Sequence, residues 1–272
     1  QPHGASPGAD RNAAGGGRAS GAGFVRSCAV DASPGELLSV CTVSIVPRSG
    51  GFRFVCNRDE MLSRPAALPP IRWTFGGVPV WHPLGPGGVG TWFAANGHGV
   101  VVALLNRQQQ LDTPDPSETG TATKRSRGQI VLALAGASGI VPLRAALGAI
   151  EPSHYPAFSL VAVVHREVIV ATSNGQRLSL DDLYLSRPLV FTSSSLSDSE
   201  AEKRRLPLFD ALVLRSRDSL AGQQAFHDHR WQECSEFSVR MQRADARTVS
   251  RTAVDVIGRQ VSLIYEPLPV ET

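Results

Sequence analysis

The sequence predicts an α+β fold, with an antiparallel sheet core and helices packed outside it. Three observations support this. Apolar runs of strand length recur towards both ends of the chain, helical spacing is confined to its middle, and the order is not the alternation that βαβ units require. At 272 residues, 42% of them apolar, the chain is long enough for one such sandwich.

The elements follow in order. Cys41–Val46 and Phe52–Cys56 read as strands of a hairpin, joined by Pro47-Arg48-Ser49-Gly50-Gly51. Pro65, Pro69 and Pro70 are expected to keep the next stretch irregular. Val78–Trp81, Thr91–Ala95 and Gly99–Leu105 read as strands, the last two joined by Asn96-Gly97. A polar, Pro-rich loop runs from Asn106 to about Arg125. Gly128–Ala137 and Val141–Ile150 have helical spacing, and Phe158–Val164 with Glu167–Thr172 makes a second hairpin. Leu189–Thr192 is a short strand, and Asp198–Leu214 a helix capped near Ser197 and interrupted at Pro207. Phe237–Gln242, Arg247–Val256 and Gln260–Tyr265 return to strands.

Composition excludes several function classes. A net charge of +3, with only two lysines (Lys124 and Lys203), argues against a nucleic-acid partner. No apolar run approaches the ~18–20 residues of a transmembrane segment. Four cysteines without a CxxC pair argue against zinc and against a disulfide framework, so a cytoplasmic location is expected, with Cys56 and Cys234 as buried apolar thiols. The histidines show no metal spacing, and His227 and His229 read as surface residues. No metal and no cofactor are expected. Gly85 and Gly90 match the glycine spacing of a phosphate-binding loop, but Thr91 stands where the lysine is needed, so the segment reads as a turn feeding a strand. Residues 1–40, Gly/Ala/Ser/Pro-rich at the start, are expected to be a disordered extension, a removed leader or untranslated sequence. The folded domain is expected over 41–272.

The candidate chemistry centres on Cys41. A thiol attacks only as thiolate, so a cysteine on an apolar strand is ordinarily inert. A cysteine that opens the mature chain escapes this, because its own α-amine, with a pKa near ~8, accepts the thiol proton. The hairpin brings the end of its second strand, Asn57-Arg58-Asp59, towards Cys41. There a carboxylate can hold the ammonium, and a guanidinium favours a thiolate.

Cys41-Thr42, Cys56-Asn57-Arg58-Asp59-Glu60, Ser63-Arg64-Pro65, Gly90-Thr91-Trp92, Ala103-Leu104-Leu105-Asn106 and Ser126-Arg127-Gly128 stand in a distinctive order and spacing. In them the chain resembles the NRDE family, also called the transport and Golgi organisation protein 2 family. The resemblance implies a four-layer αββα sandwich of the N-terminal nucleophile hydrolase type. It also implies hydrolysis of a small-molecule linear amide at its C–N bond through an acyl-cysteine. By that likeness Cys41 is the nucleophile, Arg58 and Asp59 organise it, and Asn106 donates to the oxyanion. Asn57, Arg64, Trp92, Arg127 and Ser194 are then expected along the substrate. The alternative it implies is a non-catalytic binding or trafficking protein on the same fold, handling haem or lipid in secretory-pathway organisation.

The chain departs from the family pattern in three places. Forty residues precede Cys41, so either the Val40–Cys41 bond is cleaved or Val40 is the initiator, read from a GTG codon. Ser193-Ser194-Ser195-Leu196 stands where many relatives have Ser-Asn-Ala-Leu, putting a hydroxyl in place of an amide at Ser194. Arg58 abuts Asp59, whereas in the resembling amidases the arginine lies three residues earlier, so Arg64 and Arg127 stand as substitutes.

Overall fold

The computed structural model describes residues 41–85, 88, 90–107 and 124–269. The expectations for residues 1–40 and for most of the loop after Asn106 lie outside the described residues.

Strand β1 (Cys41–Arg48) turns into β2 (Gly51–Met61) through Gly50, whose φ of 74° suits a residue without a side chain. The pair is fully registered, from Cys41 opposite Arg58 to Arg48 opposite Gly51. The chain then forms β3 (Leu68–Phe75), β4 (Val78–Leu84), β5 (Phe93–Asn96) and β6 (Val100–Asn106). Two helices follow, α1 (Gly128–Leu134) and α2 (Ile140–Gly148), then β7 (Phe158–Val164), β8 (Glu167–Ser173), β9 (Leu178–Tyr184) and β10 (Leu189–Thr192). The last elements are α3 (Asp198–Phe209), α4 (Ser219–Asp228), β11 (Ala246–Ile257) and β12 (Gln260–Pro267).

These strands form two antiparallel sheets. One has the order β10-β1-β2-β11-β12, the other β3-β4-β5-β6-β7-β8-β9. Strand alternation splits the apolar residues between layers. Val43, Ile45, Phe52 and Phe54 of the first sheet meet Phe93, Val101, Ala103 and Leu105 of the second in one core. Val102, Leu104 and Leu160, on the other side of the second sheet, pack with Ile130, Leu134, Leu143 and Leu147 of α1 and α2. Val46 packs on the far side of the first sheet with Phe209 and Phe226. The result is four layers, α1/α2, sheet, sheet and α3/α4, as the αββα expectation requires.

Several local expectations need correction. Pro69 and Pro70 lie inside β3, an edge strand, where a missing N–H is tolerated. Strand β9 and helix α4 have no counterpart in the sequence reading. Phe237–Gln242 is not a strand: Ser235–Phe237 is a 3₁₀ turn, and Gln242 makes only an isolated bridge to Arg247. Pro207 does not interrupt α3, which runs on to Phe209 and continues as a π-helical turn over Asp210–Leu214. The Ser197 cap is present, its side chain accepting from Glu200 N. Cys56 is buried as expected, whereas Cys234 is only half-buried. Among the described residues no helix is long and apolar enough to cross a membrane.

Candidate functional site

Cys41 is the first residue of β1, with a neighbouring strand on each side. Its side chain points between the sheets, with Val43 and Ile45, and only 3% of the residue is exposed. Arg58 stands directly opposite on β2 and shares that face. Its guanidinium lies over the indole of Trp92 from the facing sheet, 3.9 Å from the ring centroid. The charge is matched by Glu60, which forms a short ion pair with Arg58 and also receives the half-exposed Arg64 at 3.1 Å. Burial pushes the Arg58 pKa down, against the opposing pull of Glu60.

Cys56 is the other free thiol here, one step along the same face of β2. Its pKa is raised well above the usual thiol range, first by a side-chain hydrogen bond with Cys41 and then by burial. Cys56 therefore stays protonated beside Cys41.

Alternation sends Asn57 and Asp59 to the opposite face of the sheet. Asn57 Nδ2 donates to His227 O at 2.9 Å and Val239 O at 3.0 Å, tying α4 and the following loop to β2. Asp59 Oδ1 accepts from Thr248 Oγ1 at 2.5 Å, and Oδ2 is buried without a partner. Burial raises the Asp59 pKa to about 7, against the lowering influence of Arg205, the Thr248 hydrogen bond, Arg243 and Arg58. Asp59 thus lies behind the sheet, while the Cys41 sulfur lies in front of it. The backbone of Cys41 turns instead to the β10 side, its N–H donating to Ser193 Oγ at 3.4 Å and its carbonyl accepting from Ser193 N at 3.2 Å.

The sequence reading missed Arg205, the largest fully buried side chain among the described residues. From α3 it donates to Phe237 O, Thr42 Oγ1, Thr192 Oγ1, Ser193 O and Ser238 O, at 2.6–3.3 Å. It fastens α3 to the start of β1 and the end of β10, immediately behind Cys41. His227 is buried, not a surface residue. Its Nε2 shares a 2.7 Å hydrogen bond with Ser44 Oγ, and burial, aided by Arg251, Arg205 and Arg53, lowers its pKa to about 3. The only sequence signals were an arginine in an otherwise ordinary helix and Thr42 and Ser44 alternating with apolar residues on β1.

The remaining predicted site residues scatter. Asn106 ends β6 opposite Phe158, which belongs to the α1/α2 side of its sheet. Arg127 precedes α1 and donates to Ala157 O at 2.8 Å, joining that helix to the start of β7. Ser194 lies between β10 and α3, its hydroxyl accepting from Leu196 N and Ser197 N. The Gly90-Thr91-Trp92 and Ser126-Arg127-Gly128 segments meet backbone to backbone: a Cβ on Gly128 would lie 2.7 Å from Thr91 N, and one on Gly90 2.8 Å from Gly128 C. Two glycines thereby set the position of Trp92. Among the described residues no group of three or more His, Cys, Asp or Glu could hold a metal ion.

Comparison with known proteins agrees with this architecture. A Caenorhabditis elegans ortholog of N-acylethanolamine-hydrolyzing acid amidase superposes with a TM-score of 0.55 at 14% identity, covering 84% of this chain and 100% of its own. A mutant conjugated bile acid hydrolase from Clostridium perfringens gives a TM-score of 0.47 at 12% identity, covering 82% of this chain and 92% of its own. The first likeness shows the fold, that of the N-terminal nucleophile hydrolases. No curated protein matches in sequence. The family model described as Transport and Golgi organisation 2 matches residues 45–249, three-quarters of the sequence, and the chain belongs to that family.

Proposed function

We propose that the protein is a cysteine amidohydrolase cleaving a linear C–N amide through an acyl-cysteine. One observation supports this best: Cys41 opens a core strand between the two sheets, facing Arg58, in the fold of an amidase. In this reading the mature chain begins at Cys41. The thiol proton passes to the α-amine, and the sulfur attacks the amide carbonyl carbon, forming a C–S bond as the C–N bond breaks. The amine product leaves with a proton, and water then releases the acid and regenerates the thiol. Arg58 lines the sulfur's face of the sheet, its guanidinium held by Glu60 and by the Trp92 ring. Asp59 and Arg205 act from behind the strand, on the chain end and its Ser193 contact, and do not touch the sulfur.

The test is mass spectrometry of the natively expressed protein, before and after p-nitrophenyl acetate. The reading expects a chain starting at Cys41 and a transient acetyl adduct on that residue. A soluble protein with Cys41 still joined to Val40, and no adduct, would overturn it.

A binding role without turnover draws support from a different observation, the Asp59 carboxyl lying on the face away from the thiol. A haem or lipid ligand between the sheets would then meet Cys41 as an apolar neighbour. It would slow iodoacetamide labelling in proportion to occupancy, and no acyl adduct would form.

A further inference from the structure

Two polar groups in the space between the sheets, one from each, have no use in the chemistry described above. Ser250 of β11 stands opposite Arg58, as Cys41 does from the other side, so Cys41, Arg58 and Ser250 form a row across three adjacent strands. Ser250 is 1% exposed, and its Oγ has no hydrogen-bond partner. Trp92, whose ring covers Arg58, is 8% exposed, and its Nε1 has no partner either. Buried polar groups in native proteins are nearly always paired, and one that is not calls for an absent partner. Here two such groups flank the same guanidinium.

We infer that Ser250 Oγ and Trp92 Nε1 form a second substrate subsite, donating hydrogen bonds to a neutral oxygen acceptor on the part of the substrate that extends from Cys41 past Arg58. This rests on the amidohydrolase reading and narrows its substrate class. An indole N–H can only donate, and a serine hydroxyl free of partners donates readily, so the recognised group is an acceptor. Both donors are uncharged and Arg58 is already ion-paired to Glu60, so the subsite does not call for a carboxylate or a phosphate. Cys41 and Ser250 lie two strand spacings apart, about 9–10 Å between backbones. The scissile amide therefore bears a second oxygen a few bonds away, such as another amide, a hydroxyl or an ether. An acyl chain of methylenes alone would leave both donors unpaired.

The test uses p-nitrophenyl acetate and three longer p-nitrophenyl esters, in which an N-acetyl amide lies one, two or three methylenes beyond the ester carbonyl. In each reaction the Cys41 sulfur bonds to the carbonyl carbon, p-nitrophenolate leaves with the C–O electron pair, and the thiol proton is released. Absorbance of the phenolate reads the rate, and mass spectrometry assigns the adduct to Cys41. Each rate is divided by that of spontaneous hydrolysis. One longer ester should acylate Cys41 at least ~10-fold faster than the acetate, and Ser250→Ala and Trp92→Phe should each reduce that ratio to below ~3. Iodoacetamide labelling of Cys41 shows that the variants keep an accessible thiol. Equal rates for all four esters, or a ratio unchanged in both variants, would overturn the subsite while leaving the nucleophile in place. No reaction of Cys41 with the acetate or with iodoacetamide would overturn the amidohydrolase reading and the subsite together.

Discussion

The two faces of the five-stranded sheet put their polar residues to different use. Behind it, towards α3 and α4, side chains fasten elements together: Arg205 donates to five acceptors, Asn57 Nδ2 holds two carbonyls, and Ser44 joins His227 and Gln223, although Asn57 Oδ1, Asp59 Oδ2, Gln223 Oε1 and His227 Nδ1 have no partner. In front, between the sheets, Arg58 has Glu60 and an aromatic face, while Ser250 Oγ and Trp92 Nε1 have no partner. The same strands build both. Four consecutive residues, Asn57 to Glu60, are shared out alternately, Asn57 and Asp59 to the rear and Arg58 and Glu60 to the front. A compact sequence motif is thus half scaffold and half site, and its members should fail in different ways when changed.

The largest effect belongs to the rear. Arg205→Ala leaves five acceptors without their donor and should cost about 3–5 kcal/mol in urea unfolding. Arg205→Lys should recover little of that, since an ammonium cannot span the same fork. A midpoint unchanged in Arg205→Ala would erase the contrast between the faces.

The next effect is a pair of opposed pH slopes. Asp59, at about 7 in the fold against ~3.9 unfolded, holds its proton more tightly when folded, so its contribution is present at low pH and lost as pH rises through 7. His227, at about 3 against ~6.5 unfolded, is neutral in the fold, so its contribution is present above 6.5 and lost as pH falls towards 3. The two largely cancel between roughly pH 4 and 6.5. Asp59→Asn should expose the histidine slope, with stability falling by up to ~1 kcal/mol per pH unit on acidification, and His227→Gln should expose the reverse. Unfolding curves from pH 4 to 8 measure both, and parallel profiles in the two variants would contradict the assignment.

Asn57→Ala removes two hydrogen bonds to buried carbonyls and should cost about 1–3 kcal/mol, read in the same unfolding experiment. It should leave the front face able to take up label at Cys41 once the protein is folded. The smallest effect is in front: Ser250→Ala removes an unpartnered hydroxyl and should change stability by less than ~0.5 kcal/mol. A loss comparable to that of Asn57→Ala would show that the front face is as tightly bonded as the rear.

Much of the fold was legible because alternation and turn chemistry act locally. The β1–β2 hairpin, the β7–β8 hairpin and the Ser197 cap each follow from a few adjacent residues. Strands β3 and β9 were not legible. They are the two edges of the seven-stranded sheet, largely solvent-facing, and lack the apolar run that marks a buried strand. In the site, Cys41 opposite Arg58 follows from a two-residue period and a hairpin. Whether Asp59 shares their face was a matter of parity, and its neighbour Arg58 takes the face of Cys41. Arg205 and Ser250 were out of reach because their partners are brought in by tertiary contacts from distant segments.

The irregularity in β11 has a consequence of its own. Thr248 and Ser250 are two apart and would ordinarily face the same way, yet the register shift between them gives Thr248 to Asp59 and Ser250 to Arg58. The extra residue, Val249, spends its carbonyl on Leu268 N. Were the strand to run through this point without the irregularity, one of the two hydroxyls would have to turn to the other face with no change of side chain.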